Sequence, residues 1–590
     1  MKSKKFSLLL FLFISVCIVS SVILASCKIF NNFDLVSGSN KNAENIVDDK
    51  SAQKEAVEEK IEIEEEVEEI PMKLWIDSSI PSYLRDVIKQ ESKKSFDKLV
   101  FTDNKDSSDV RIEIGFADKS STFFWVFAPV VSFFRYCDDM SWQDLKEFWN
   151  GSEDSLSYIT NQDMKPELIV TEENLSVLEK FLGKCKNENI KIVAKEDFLS
   201  KIEGNKSSFS IIPFEEIVPK LKVLNLEGMS IFDKNLNVLE YPLTLSINVK
   251  GRDPDLVDEL KCSLGEVLAT NRDIEKLATV NMTGVTAPAQ GKTIGNMMNK
   301  YGALYPAEKI AGVLRDTDIT HISNEIPFME GCTGKRYIET GDCVFCCKPE
   351  YIELLRYVGT DVVELTGNHM NDFGSEWMLY TLDMYDKEGW PYFGGGRNLE
   401  DSYKPALFEV NGNRIAFLGC NYFGPDYNWA TEDNPGSARI NMWNEVQMEE
   451  DFQRVEGIVK ELKQDGYIVI FTFQYVETYN YRPTEQQIID FRRIIDAGAD
   501  IVSGSQSHQP MGVEFRGNGF INYGLGNLFF NQADELAKKQ GIIAKHIFYD
   551  GKYINTVLIT TMLENLSQPR VTTSEERVEL LKSIFSGSIR

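Results

Sequence analysis

The sequence predicts an α/β protein, and three observations carry that reading. From Lys73 onward, short apolar runs of strand length alternate with stretches of helical periodicity, the pattern of helices packed on sheets. Several apolar runs end in side chains suited to acid–base or metal chemistry, which is where α/β sheets build their sites. The composition is globular: 590 residues, 43% hydrophobic and 26% charged, is enough apolar material for more than one core. With 63 Lys and Arg against 91 Asp and Glu, the net charge is −28. Phosphate backbones repel such a chain, which argues against nucleic acid as a partner. Ten cysteines in this length exclude a disulfide-built scaffold.

The first 71 residues predict export and a spacer. Lys2, Lys4 and Lys5 precede an apolar run from Phe6 to Leu24, closed by Ala25-Ser26-Cys27. This has the form of a secretory signal ending in small residues. It resembles the bacterial lipobox, which implies acylation of Cys27. Residues 1–27 are therefore expected to be a lipoprotein signal peptide, with an uncleaved transmembrane helix as the alternative. Either arrangement leaves the rest extracytoplasmic and anchored to the cell membrane. Residues 28–71 predict an acidic disordered tether, since residues 41–70 hold twelve carboxylates and four lysines and no aromatic residue.

Residues 72–275 predict a smaller α/β domain. Lys73 to Asp77, Val110 to Ile114 and Phe209 to Ile212 read as strands, and Ser82 to Phe96 and Ser141 to Trp149 as helices, the latter with Ser141 as N-cap. The order of elements, with Trp125 to Val130, Ser141 to Gly151 and Ile211 to Glu216, resembles the substrate-binding proteins of phosphate-type transporters. No anion cradle of the Thr/Ser-Gly kind accompanies it, and a spacer without a ligand is the alternative.

Residues 276–562 carry the chemistry. Strands are expected at Ala278–Gly284, Asp318–Ser323 (ending at Asn324-Glu325), Asp361–Thr366 (ending at Gly367-Asn368-His369), Tyr467–Phe473 (with Glu477 just beyond) and Asp500–Ser503 (ending at Gly504 to His508). The segments Ser323 to Pro327, Leu365 to Gly374 and Tyr523 to Phe530 resemble the CapA family of capsule, or poly-γ-glutamate, synthesis proteins. The family's domain is similar to calcineurin-like metallophosphoesterases, which implies a layered α/β sandwich. Three ligand-type positions of the family depart from its pattern: Val285 replaces an Asp, Phe473 the His of a His-Trp-Gly-x-Glu segment that keeps Glu477, and Ser505-Gln506 part of a His-rich run. Valine cannot bind a metal and a glutamine amide is a weak ligand, so a two-metal centre is not expected; the sequence leaves open a single divalent ion or none.

The resemblance implies Glu325, His369 and Glu477 as catalytic residues, and Asn324, Asn368, Asp372 and Gln506 as substrate-binding. It also implies His508, Asn368 and Glu325 as metal ligands. His321 and His546 are read as structural, and Glu364 as at best a supporting group. Gly284 to Lys292-Thr293 is spaced wrongly for a phosphate-binding loop. In an exported chain Cys332 is expected to bridge to the Cys343/Cys346/Cys347 cluster. Cys346 is taken as the partner, although the sequence leaves that choice open. The Thr573-x-x-Glu576 box predicts an amphipathic helix within residues 563–590. Two functions follow: a hydrolase with a reduced metal site that processes a capsule or envelope polymer, or an inactive polymer- or solute-binding module of a synthesis complex. The implied partners are that polymer, the membrane through the lipid anchor, and the complex.

Overall fold

In the computed structural model, described for residues 71–590 except 97, 119–120, 122, 162–163, 335 and 338–342, three extended sheets organise the chain. The expected leader and Cys27, and the tether apart from Pro71, lie outside the described residues. Among the described residues no helix is long and apolar enough to cross a membrane.

The first sheet belongs to residues 72–251 and is mixed. Its strands run in the order Leu99–Phe101, Met72–Ile76, Val110–Phe116, Thr244–Gly251, Phe123–Ser132, Ser208–Pro213, Glu167–Val170, Ile190–Ile192. Phe123–Ser132 is the spine, paired antiparallel with both Thr244–Gly251 and Ser208–Pro213. It is buried along nearly its whole length, which is why it reads as a continuous apolar run. The helix Trp142–Trp149 starts where Ser141 accepts the Asp144 N–H, as its cap position predicts.

The other two sheets pack face to face. One runs Tyr392–Phe393, Val362–Glu364, Ile319–Asn324, Leu277–Met282, Gln540–Tyr549, Lys552–Glu564, Gln568–Val571; the other runs Ala406–Val410, Asn413–Asn421, Ile468–Gln474, Ile501–Ser505, Gly519–Asn522, Val513–Arg516. Val280, Met282 and Ile319 meet Phe417, Ile470, Ile501 and Phe520 between them. Helices cover the outer faces, with Leu382 and Tyr385 on one side and Phe452 and Phe491 on the other. This is the layered α/β sandwich expected of a metallophosphoesterase-like domain. Ile319–Asn324 and Val362–Glu364 are parallel neighbours, as are Asn413–Asn421, Ile468–Gln474 and Ile501–Ser505, so the carboxyl ends of each set reach one rim.

Two boundaries differ from the sequence reading. Residues 568–571 form a strand paired with Lys552–Glu564, so the sheet continues past residue 562 and the helix begins only at Ser574. Residues 563–590 are therefore not helix alone; Gln568–Val571 is too short and polar to show a strand period. Second, residues 69–590 cluster as one compact unit, because Leu277 and Ile547 belong to the core of the first region. The capping box at Thr573 and Glu576 is formed in both directions.

Gly284 explains how the strands close at the rim. A Cβ there would lie 2.1 Å from the Gly526 carbonyl oxygen, and the Val285 N–H donates to that same oxygen at 3.0 Å. Gly284→Ala should lower the melting temperature sharply, by about 3 kcal/mol or more of stability. Gly302→Ala, with open space around its Cβ but a φ of +103°, should cost only backbone strain of about 1–2 kcal/mol. Equal thermal shifts for the two variants would contradict this close-approach account.

Candidate functional site

The carboxyl ends of the parallel strands open into a cavity of about 620 Å³ whose walls include Glu325, Asn368, His369, Glu477, Gln506 and His508. These residues span 183 positions of sequence, yet each follows a strand end at the same rim. The local backbone is unusual there. Gln506 and His508 both adopt positive φ, +75° and +52°, a conformation costly for side chains other than glycine and concentrated at functional loops. A Cβ on Gly367 would fall 2.6 Å from the Glu325 Cα, so only glycine lets the Asn368-His369 turn lie against Glu325.

Gln474 ties the site together. Its Nε2 donates to Glu325 Oε1 at 2.8 Å, Asn368 Oδ1 at 3.1 Å and Gln506 Oε1 at 2.6 Å. These acceptors come from both sheets. The Gln474 Oε1 is buried without a partner, which costs about 1–3 kcal/mol.

Each histidine has its own orienting partner. His369 Nδ1 bonds Asp372 Oδ2 at 2.7 Å, and that carboxylate also accepts from the Phe345 N–H at 2.7 Å and the Tyr427 hydroxyl at 3.2 Å. Burial pulls His369 down, but the Asp372 bond and charge, with Glu325 nearby, outweigh it and raise its pKa. His508 Nδ1 donates to Asn527 Oδ1 at 2.9 Å, since the Asn527 amide nitrogen is spent on the His508 and Lys538 carbonyls. Its Nε2 is left as an acceptor, 3.7 Å from Glu477 Oε1. Burial pushes His508 down to about 4. Glu325 is pushed up to about 7, chiefly by burial, with His369 and Gln474 opposing and Glu364 and Glu477 adding to the rise.

The remaining walls are aromatic and cationic. Lys292 Nζ sits over the rings of Phe345 and Phe530, 5.2 and 5.1 Å from their centroids. Trp443, 72% exposed, and Tyr427 stand at the rim, and Trp443 Nε1 is fixed by the Phe423 carbonyl at 2.9 Å. A disulfide joins Cys332 to Cys346 with the Cα atoms 6.0 Å apart. It pins the chain that places Cys343 and Phe345 on the cavity wall.

Three readings from the sequence need correction. Asn324 does not face the cavity: its Nδ2 donates to the Ile326 carbonyl and the Tyr385 hydroxyl at 2.8 and 2.9 Å, because strand alternation turns it to the opposite side from Glu325. Asp372 is not a substrate contact but the group that orients His369. The ion implied at Glu325, Asn368 and His508 does not fit. The Gln474 amide nitrogen occupies the point where the Glu325, Asn368 and Gln506 oxygens meet. Among the described residues no three His, Cys, Asp or Glu side chains gather to hold a metal. Val285, which stands where the family has an Asp, is wholly buried in the apolar core.

His321 and Glu364 form a separate buried pair, Nε2 to Oε2 2.9 Å, with the Thr283 N–H donating to Nδ1 at 3.3 Å. Burial raises the Glu364 carboxyl, but the His321 and Thr366 hydrogen bonds bring it below its ordinary range. Sequence reasoning passed over Lys292, which it met only as part of a failed phosphate loop, and Asn527, which lay inside a quoted motif. It met Gln474 only inside the segment Phe473 to Glu477 and gave it no role. Trp443 carried no motif at all.

Residues 265–532 match the model of a family described as bacterial capsule synthesis protein PGA_cap. The chain is 26% identical over 301 residues to the capsule biosynthesis protein CapA of Bacillus anthracis, covering 51% of this chain and 71% of that one. It is 26% identical over 203 residues to the PGA biosynthesis protein CapA of Bacillus subtilis (strain 168), covering 34% of this chain and 51%, about half, of that relative. An ABC-type phosphate transport receptor from Vibrio cholerae superposes over 33% of this chain and 98% of its own, at 13% identity and a TM-score of 0.27.

The raised Glu325 has a consequence for stability. A carboxyl whose folded pKa lies above its unfolded value contributes stability at acid pH that is lost as pH rises through about 7. Glu325→Gln should therefore gain on the parent protein between pH 5 and 8, by up to about 3 kcal/mol at the alkaline end. Melting curves whose difference is flat across that range would contradict a buried, proton-sharing Glu325. Elemental analysis of the purified protein should find Mn, Zn, Fe and Ca well below one equivalent, and chelation should leave the melting temperature unchanged.

Proposed function

We propose that this chain is of the CapA type and serves the synthesis of a capsular or cell-envelope polymer by binding that polymer in the cavity at the sheet rim. One observation carries the reading: acid–base side chains, Lys292 and an aromatic rim line one cleft whose three convergent oxygens are tied by Gln474 rather than directed at a metal. The relatives' printed names give capsule and PGA biosynthesis, and poly-γ-glutamate is the polymer this reading takes. The chain is strongly acidic, so a polyanion needs local cations, and Lys292 and a protonated His369 supply them on one wall.

A second reading is hydrolysis without a metal. It is favoured by the separation of Glu325, near 7, from His508, near 4, since acid and base roles need pKa values pushed apart. Glu325 would donate a proton to the leaving group and the His508 Nε2 would accept one from water.

Equilibrium titration with γ-linked glutamate oligomers and with a neutral polysaccharide tests both. Glutamate oligomers should bind, and Lys292→Gln should weaken them about ten-fold. Trp443→Ala should weaken either polymer it contacts. No binding of either polymer at millimolar concentration would remove the binding reading. Shortened product chains that vanish with Glu325→Gln would establish the hydrolytic one.

We further propose that residues 28–71 tether the folded part to the cell membrane through a lipid on Cys27. Cys27→Ala should leave the membrane fraction or keep its leader. A variant that is processed normally and stays membrane-bound would replace lipidation with a plain helical anchor.

A further inference from the structure

The seam between residues 72–275 and the paired sheets is closed over most of its length by apolar contact. Phe133 meets Phe515, Phe520 and Phe585 with ring centroids 4.9, 5.7 and 6.2 Å apart, and Tyr136 stacks on Phe585. Asn555 Nδ2 donates to the Leu221 carbonyl at 2.7 Å. Folded interiors leave few voids larger than a water molecule. Yet a cavity of about 410 Å³ persists in this seam, well inside the range of small-molecule sites. Val223 and Phe232 wall it from one side, and Ile547, Val557 and Ile559 from the other.

One end of this apolar cavity is charged. Lys222 Nζ lies 2.6 Å from Asp138 Oδ1 and donates to the Arg135 carbonyl at 3.0 Å. Arg577 Nη2, from the terminal helix, donates to the same Asp138 oxygen at 2.7 Å. Two largely buried cations therefore share one carboxylate, which itself stays partly exposed. Burial, with the Arg577 charge beside it, holds the Lys222 ammonium below its ordinary range despite Asp138. Elsewhere on the wall Lys545 is matched by Asp316 at 3.0 Å, and Asp233 accepts the Asn235 N–H at 2.8 Å. Asp139 and Asp144 line the adjoining cavity, which also includes Asp138 and Arg577.

We propose that this interdomain cavity binds a single-chain amphiphile with a carboxylate head, the head at Lys222 and Arg577 and the alkyl chain along Val223, Phe232, Val557 and Ile559. The excess cation selects an anionic head, because a second carboxylate there offsets the charge that Asp138 leaves unmatched. The apolar walls select an alkyl chain over a sugar or peptide, whose polar groups would lose their water without replacement. The site is separate from the rim cleft and independent of what that cleft binds.

Full-length protein titrated with dodecanoate, and with dodecanol as the uncharged control, tests the proposal. Dodecanoate should saturate one site per chain below its aggregation concentration, and dodecanol should bind at least about ten-fold more weakly. Val557→Trp, at a partly exposed wall position, should abolish binding by filling the cavity. Lys222→Met should weaken dodecanoate about ten-fold and leave dodecanol unchanged. Trp443→Ala, in the rim cleft, should change neither. No saturable dodecanoate binding, equal affinity for dodecanol, or binding indifferent to both Val557→Trp and Lys222→Met would each overturn it.

Discussion

The site depends on a single side-chain amide. Gln474 ends the strand Ile468–Gln474 of one sheet, and its Nε2 reaches Glu325 and Asn368, which follow strands of the other. Three oxygens directed at one point repel unless a donor or cation stands between them. Two N–H groups of one amide serve here, and the rim of the sandwich holds its shape because they do. The same contact sets the chemistry of the cleft: Glu325 keeps a neutral donor as its closest partner rather than a charge that would fix it as a carboxylate.

Burial acts on both cleft histidines, and their partners decide the outcome. Asp372 supplies a full negative charge to His369 and raises it, whereas Asn527 offers His508 only a dipole and cannot offset desolvation. The cleft therefore holds a readily charged imidazole and a neutral one within the same walls. Lys292, held between Phe345 and Phe530, adds a fixed cation beside them. The disulfide from Cys332 to Cys346 keeps the Phe345 side of that clamp close to the turn after Glu325.

The two folded regions meet through aromatic packing and through an ion pair and a hydrogen bond that cross hundreds of residues. Arg577 and Asp138 are 439 positions apart, and Asn555 and Leu221 are 334 apart. Such contacts join what composition would separate, and residues 69–590 form one unit as a result. The seam is nonetheless incompletely filled, and its cavity carries charged groups at one end.

Much of this was legible in the chain, because short-range physics writes itself into sequence. The alternation of strand and helix, the Ser141 and Thr573 caps, and the polar residues closing the strands follow from periodicity and local hydrogen bonding alone. The motifs around Glu325, His369 and His508 named the cleft for the same reason: strand ends in a parallel sheet share a rim. Asn324 was misplaced because its strand turns it toward Tyr385, and the strand Gln568–Val571 was missed because it is too short to carry a period. Gln474 carries no signal in sequence; in the fold its amide gathers the oxygens of Glu325, Asn368 and Gln506. Whether a side chain faces a cleft, a core or a distant partner is fixed by long-range packing. That packing decided the role of Gln474, the place of Lys292 and the pairing of Lys222 and Arg577 with Asp138.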